Sequence, residues 1–314
     1  MARRIVIITG ANSGIGKAAA HRFAKEGHTL VMACRSPERS RPVLEEVITG
    51  SMNDRVELMK LDMSSFESIR TFCQSFRNKY KRLDVLIHNA GYFEHGSPYK
   101  LSENGIELTF ATNVAGPYLL TMELLDLMKQ SDDARVLMAG SNIIKHFFNP
   151  KLKINFSNLQ GENPDDPKYR VYDYYRDSKM ALLMVTKRMA EKFSNDGIAV
   201  NMLQINGATM SNETIAKLTP GYRFAARIQN LFFRPPEFMA NHYYDICVSE
   251  KFRGITGELI NHKQEIIQKA EDKPGGKEQL IQVATASRCP VYAYNREVQD
   301  RVWDLCEEFV SRES

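Results

Sequence analysis

Residues 5–20 read IVIITGANSGIGKAAA: a β-branched run ending at Thr9, a turn holding Gly10, Gly14 and Gly16, then alanines that open a helix. A strand that enters a glycine turn and leaves as a helix is the first half of a βαβ unit. Glycines there let backbone N–H groups approach an anion, and the helix N-terminus adds about half a unit of positive charge. Three glycines alone also describe an ordinary tight turn. Position separates the two readings, because the first strand-to-helix turn of a βαβ series is where a dinucleotide pyrophosphate sits. The spacing is TGxxxGxG, not GxGxxG.

The rest of the chain extends that unit. Strand-like runs fall at 4–9, 29–34, 55–61, 84–88, 135–139 and 198–203. Between them AAAHRFAKEG, PVLEEVIT, SIRTFCQSFRNKY, PYLLTMELLDLMKQ and MALLMVTKRMAEKF repeat apolar residues at helical spacing. Apolar strands alternating with helices mean right-handed crossovers and an α/β parallel sheet covered on both faces. No linker is evident before about residue 254, so 1–314 reads as a single domain. Two stretches break the alternation: 206–240, long and irregular, and 262–290. In the latter the Lys-Pro-Gly-Gly at 273–276 forces a turn between charged flanks, which reads as a surface excursion before a last helix carrying Trp303.

Composition bounds the partners. A hydrophobic share of 43% and a charged share of 25% are ordinary for a soluble globular chain, and a net charge of +4 is too mild to argue for nucleic acid. Cys34, Cys73, Cys247, Cys289 and Cys306 are odd in number and form no CxxC pair, which argues against a disulfide framework and fits a reducing compartment. The histidines show no HxxxH or HExxH spacing, so no metal is expected. No apolar run reaches the ~20 residues of a membrane span, and MARRIVIITG is too short for a signal-peptide core. The expectation is a cytoplasmic protein.

The end of the second strand selects the nucleotide. NAD sites place an acidic residue there, whereas an arginine accommodates the 2′-phosphate of NADP. VMACRSPERSR puts Arg35 directly after the strand, with no Asp or Glu before Glu38. The expectation is NADP(H), with Lys17 adding charge and with Arg39 and Arg41 as solvated helix residues.

YDYYRDSK (172–179) offers three tyrosines to one lysine. Residues four apart share a helix face, so Tyr175 and Lys179 can meet. Tyr174 is five apart and turned away. Tyr172 is about 10 Å along the axis, and Asp173 reads as a cap that leaves it outside the helix. A cation beside the Tyr175 hydroxyl would favour phenolate and lower its pKa toward working pH. A surface pair without chemistry is the plain alternative.

These motifs together resemble the short-chain dehydrogenase/reductase family. TGANSGIG (9–16), LDMSS (61–65), HNAG (88–91), TNVAG (112–116), RVLMAGSN (135–142) and YRDSK (175–179) follow in family order, each at a strand end. INFSNLQGE (154–162) and the tail NREVQDRVWDLCEEF are similar to the retinol dehydrogenase-like branch, which includes the dehydrogenase domain of WW-domain oxidoreductase. The resemblance implies a Rossmann-type doubly wound sheet and an NADP(H)-linked alcohol/carbonyl oxidoreductase acting on lipophilic substrates such as retinoids or steroids. It implies that Gly10, Asn12, Ser13, Gly14, Ile15 and Gly16 hold the cofactor. Asp62 and Met63 would hold the adenine, and Asn89, Ala90 and Gly91 would line the cleft. Asn113 would anchor a water of the proton relay. Ser141 would bond the carbonyl oxygen, with Tyr175 as acid/base and Lys179 beneath it, both also touching the cofactor.

Three positions depart from the family. Its paired serines are Gly140-Ser141 here. His88 replaces the asparagine before the NAG motif and reads as a packed neutral histidine. After the sixth strand the Pro-Gly is absent: MLQINGATMSNET offers Ile205-Asn206, or Asn206-Gly207 if the turn slips by one, with Thr209 as a carboxamide contact. On the substrate side, Ile143, Ile144, Phe147, Phe148 and Phe156 are expected as apolar walls. Phe224, Ile228, Leu231 and Phe232 fall at helical spacing beside Arg223, Arg227 and Arg234. They read as a lid over an apolar pocket, a helix on a membrane surface through 223–234, or core packing. A homodimer is a further expectation. Two other functions stay open: an NADP(H)-binding sensor or scaffold with little turnover, and a nucleotide-sugar epimerase or dehydratase, against which the three-residue glycine gap and the NAG motif count.

Overall fold

The computed structural model describes residues 2–209, 215–216, 223, 227, 230, 233–271, 282 and 288–312. One seven-stranded sheet organises the chain: β1 (Ile5–Thr9), β2 (Thr29–Cys34), β3 (Val56–Lys60), β4 (Val85–His88), β5 (Arg135–Ala139), β6 (Ala199–Leu203) and β7 (Leu259–Ile260). Their spatial order is β3-β2-β1-β4-β5-β6-β7, every pair parallel. Six strands lie where the sequence places them. β7 is two residues long, below the reach of any periodicity.

The helices are α1 (Gly14–Lys25), α2 (Pro37–Ser51), α3 (Phe66–Lys79), α4 (Gly116–Glu123), α5 (Val171–Lys192), α6 (Pro236–Val248) and α7 (Arg296–Ser311). Successive strand residues face opposite sides, so Ile7 joins one core and Val6 and Ile8 the other. The first core gathers Phe66, Phe72 and Phe76 of α3, Leu182 of α5 and Trp303 of α7. The second gathers Phe23 of α1 with Tyr243, Tyr244 and Cys247 of α6. The strand order reverses between β1 and β4, and the crevice at their carboxyl ends is the ligand position of such sheets.

Four local readings are corrected. α5 begins at Val171 with Arg170 as its cap, so Tyr172 and Asp173 lie inside the first turn. Asp173 is held there by ion pairs with Arg170 and Arg176 rather than by capping. The helix expected over 117–130 breaks at Leu124 and is entered through a π-helical turn, Ala111–Ala115. Within 206–240, residues 236–240 already belong to α6. The flanks of 262–290 are only partly surface: Gln268, Lys269 and Arg288 are exposed, but Ile267, Ala270 and Cys289 are buried, and Gln268–Lys269 pairs with Arg288–Cys289. The Lys-Pro-Gly-Gly itself lies outside the described residues.

Candidate active site

The glycine turn is shaped by contacts that leave no room for side chains at Gly10 and Gly16, while Gly14, at φ +51°, has open space around it. Gly10 sits at φ +64°, and a β-carbon on it would lie 3.1 Å from the Ala90 Cα. A β-carbon on Gly16 would lie 2.3 Å from the Gly10 carbonyl oxygen and 2.4 Å from the Asn89 amide nitrogen. Asn89 closes the crevice by donating from Nδ2 to the carbonyls of Thr9 (3.0 Å) and Gly10 (3.2 Å). Thr9 Oγ1 accepts from the Ala90 N–H at 2.9 Å.

A cleft of about 430 Å³ runs from this turn, lined by Gly10, Asn12, Ser13, Arg35, Asp62 and Met63 among others. Asp62 is braced by Ser64, whose hydroxyl donates to Oδ1 at 2.7 Å. Gly116 lets α4 approach the neighbouring loop, since a β-carbon there would meet the Met63 carbonyl at 2.1 Å. Gly14 and Gly16 shape the turn from behind. Arg39, read above as a solvated helix residue, lines the cleft beside Arg35 and Ser36, because α2 begins as early as Pro37. Lys17 does not contribute to the lining; its ammonium pairs with Glu46 at 2.7 Å.

A second cleft, about 470 Å³, meets the first at Asn89, Gly91 and Tyr92 and contains Ser141, Tyr175 and Lys179. Ser141 follows β5, while Tyr175 and Lys179 are one turn apart on α5. The Lys179 ammonium donates to the Ala139 carbonyl at 2.9 Å and lies 5.7 Å from the Tyr175 ring centre. Burial pushes it down to about 8. The expected lowering of the Tyr175 pKa is not what the structure gives: burial raises it, and the neighbouring Ser141 hydroxyl opposes the rise. The physical reason is placement, with the ammonium under the ring and committed to Ala139 rather than beside the hydroxyl.

Asn113, on the π-helical turn, is buried and lines neither cleft. Its Oδ1 accepts from the Tyr92 N–H at 2.7 Å, and Nδ2 donates to the Tyr92 carbonyl (3.1 Å) and Ser178 Oγ (3.0 Å). It thus clamps the chain after Gly91 against α5. A β-carbon on Gly91 would lie 3.3 Å from Asn113 Oδ1 and 3.6 Å from Lys179 Nζ, so glycine keeps this junction open. His88 is buried, held down to about 3 by desolvation, with Nε2 at 2.8 Å from Thr121 Oγ1. It faces away from the chemistry.

Gly140 has a packing cause. A β-carbon there would lie 2.7 Å from Met202 Cγ and 2.9 Å from the Leu203 carbonyl oxygen. After β6 the glycine of the turn is Gly207, at φ +131°. Thr209 is not in the lining; its N–H is tied to the Arg234 carbonyl at 3.0 Å.

The apolar walls also differ from expectation. Ile143, Ile144 and Phe147 are buried in the core, Phe147 stacks on Tyr292 at 5.2 Å, and Phe156 lies under Arg301. Phe147 and Phe148 border a separate cavity of about 370 Å³. The walls beside Ser141 and Tyr175 are Tyr92, Phe93, Ile205 and Phe233, with the Phe93 ring 4.7 Å from that of Tyr175. The Tyr92-Phe93 pair directly after HNAG is the signal that could have found one wall. Phe224, Ile228, Leu231 and Phe232 of the expected lid lie outside the described residues.

Among the described residues no group of three His, Cys, Asp or Glu side chains could hold a metal, and no helix is long and apolar enough to cross a membrane. A family model for short chain dehydrogenase matches residues 4–148. Retinol dehydrogenase 13 of Homo sapiens is 30% identical over 273 residues, spanning 82% of this chain and 76% of that protein. Retinol dehydrogenase 11 of Homo sapiens is 34% identical over 254 residues, spanning 81% and 76%. The WW domain-containing oxidoreductase of Gallus gallus is 32% identical, over 63% of this chain and 47% of that protein. A short chain dehydrogenase from Shigella flexneri, solved with NADP, superposes with a TM-score of 0.63 at 20% identity, over 83% of this chain and 97% of that one. At that identity the likeness concerns the fold.

Proposed function

Since the chain belongs to the short-chain dehydrogenase family, in its retinol dehydrogenase-like branch, we propose that it is an NADPH-dependent reductase of lipophilic ketones or aldehydes, running in reverse on the alcohols. The observation that carries this reading is the convergence of Ser141, Tyr175 and Lys179 in one cleft, with the Lys179 ammonium buried and held on the Ala139 carbonyl.

The residues fit the cofactor. The two clefts join end to end, as a dinucleotide requires, and the glycine cradle leaves no space for a side chain at Gly10 or Gly16. Arg35 and Arg39 suit a 2′-phosphate, whose two negative charges need fixed cations. NADPH, when bound, supplies the hydride. Ser141 would orient the carbonyl oxygen and stabilise the charge that grows on it. Tyr175 would donate its phenolic proton to that oxygen, with Lys179 favouring the phenolate left behind. The substrate would be lipophilic, retinoid-, steroid- or lipid-like, because Phe93, Ile205 and Phe233 stand around the reacting oxygen. The similarity to proteins named retinol dehydrogenases supports the same class.

The test is a panel of lipophilic aldehydes, ketones and alcohols, retinal and retinol included, with NADPH and NADH, followed by the absorbance of reduced nicotinamide. Turnover with NADPH is expected, and Tyr175→Phe should lower it by about 10² to 10⁴ with cofactor affinity kept within a few-fold. NADPH binding without even a single turnover on any compound would reject the enzyme reading in favour of a cofactor-bound sensor.

A further inference from the structure

The turn that follows β6 is held in an unusual way. Asn206 and Gly207 line the cleft beside Ser141 and Tyr175. Gly207 is at φ +131°, and the place a β-carbon would take is filled by the Phe233 ring at 2.7 Å. Asn206, where the resemblance expects a proline if Gly207 is the glycine of the turn, has no ring to stiffen it. It is gripped from outside instead. Gln204 Nε2 donates to Asn206 Oδ1 at 3.3 Å, which orients the amide and turns Nδ2 toward His262 Nδ1 at 2.9 Å. His262 stands two residues after β7, and its own carbonyl accepts from His242 Nε2 of α6 at 2.6 Å.

An amide nitrogen only donates, so His262 Nδ1 must be the unprotonated acceptor. Protonation would set N–H against N–H and release the turn. Burial holds His262 below its ordinary range, helped by the neighbouring Lys263, His242 and Arg234 side chains and opposed by Glu265. The pair is therefore closed at neutral pH and opens in acid.

We infer that His262 is a positioning residue, which through Asn206 does for the nicotinamide-side turn what a proline ring would do. The inference rests on the reading that NADPH occupies this cleft. Asn206→Pro is the informative partner, because it restores Pro-Gly and, among the described residues, no backbone bond uses the Asn206 N–H.

The experiment titrates NADPH by fluorescence against wild type, His262→Ala, His262→Asn, Asn206→Pro and Asn206→Pro/His262→Ala, from pH 5 to pH 8, with thermal melts to confirm folding. His262→Ala should weaken NADPH about tenfold, the size of one hydrogen bond, yet by under about twofold in the Asn206→Pro background. His262→Asn carries an oxygen where the imidazole has Nδ1, so it should bind as wild type at neutral pH and weaken less in acid, where only the 2′-phosphate, with a second pKa of about 6, still titrates. Equal losses from His262→Ala in both backgrounds, or a weakening in acid as large in His262→Asn as in wild type, would overturn the inference alone. A folded wild type that takes up no NADPH would overturn the cofactor reading and the inference with it.

Discussion

The buried hydroxyl of Tyr243 donates to Asn89 Oδ1 at 3.2 Å, joining α6 to the amide that pins the glycine turn. Asn89 then passes two bonds on to the carbonyls of Thr9 and Gly10. The same helix carries His242, which holds the carbonyl of His262. One helix thus braces both ends of the cleft. Tyr243→Phe should cost about 1 kcal/mol of stability and weaken NADPH about fivefold, read by melting and titration. An unchanged affinity would make the contact a core bond only.

Lys179 yields a prediction with an unusual sign. Burial pushes it from an ordinary 10.5 to about 8, so the folded chain binds this proton more weakly than the unfolded one. Stability from this group is then complete above about 10.5 and lost as pH falls to about 8, where the full cost is present. A shift of that size amounts to about 3 kcal/mol, less about 1 for the bond to Ala139. Lys179→Met should therefore raise the Tm of the cofactor-free protein by a few degrees at neutral pH, with the gain fading in alkali, while turnover is lost. A Tm that falls at neutral pH would show that the ammonium is better solvated than its burial indicates.

Cofactor choice should divide between two arginines rather than one. Each charge-assisted bond to a 2′-phosphate contributes roughly 1.5–3 kcal/mol. Arg35→Ala and Arg39→Ala should each cost NADPH about one to two decades and leave NADH unmoved. Lys17→Ala should change little, as its ammonium is engaged with Glu46. Equal losses for NADPH and NADH would assign both arginines to the fold.

The first serine of the family pair cannot be restored without strain. Gly140→Ser would push its β-carbon onto Met202 Cγ at 2.7 Å and Sδ at 2.8 Å. The expected cost is about 1–3 kcal/mol of overpacking, seen as a lower Tm. In a Met202→Ala background the same change should cost less, since the side-chain clash is gone and only the Leu203 carbonyl remains. Identical costs in both backgrounds would locate the strain in the backbone.

Much of the site was legible because its residues sit at strand ends, where local pattern and position coincide. The strand-turn-helix of 5–20, Asp62 after β3, Ser141 after β5 and the four-residue step from Tyr175 to Lys179 are all short-range facts. The misreadings share a cause as well. Arg39 is exposed on α2 as expected, but nothing local tells that α2 starts at Pro37 and that the same residue lines the cleft. Phe147 and Phe156 were assigned to the pocket on apolarity alone, whereas their positions are set by Tyr292 and Arg301 on the far side of the chain.

By itself the sequence determined the sheet, its glycine turn and which residues make up the candidate site, because period-2 and period-3.6 burial and glycine conformations act over a few residues. Only the tertiary structure decided what holds those groups in register. Tyr243 reaches Asn89 across 154 residues and His262 reaches Asn206 across 56. It also decided where Lys179 sets its charge, under the Tyr175 ring and against Ala139. Such pairs exist only once α5 and α6 have packed onto opposite faces of the sheet, and no spacing along the chain encodes them.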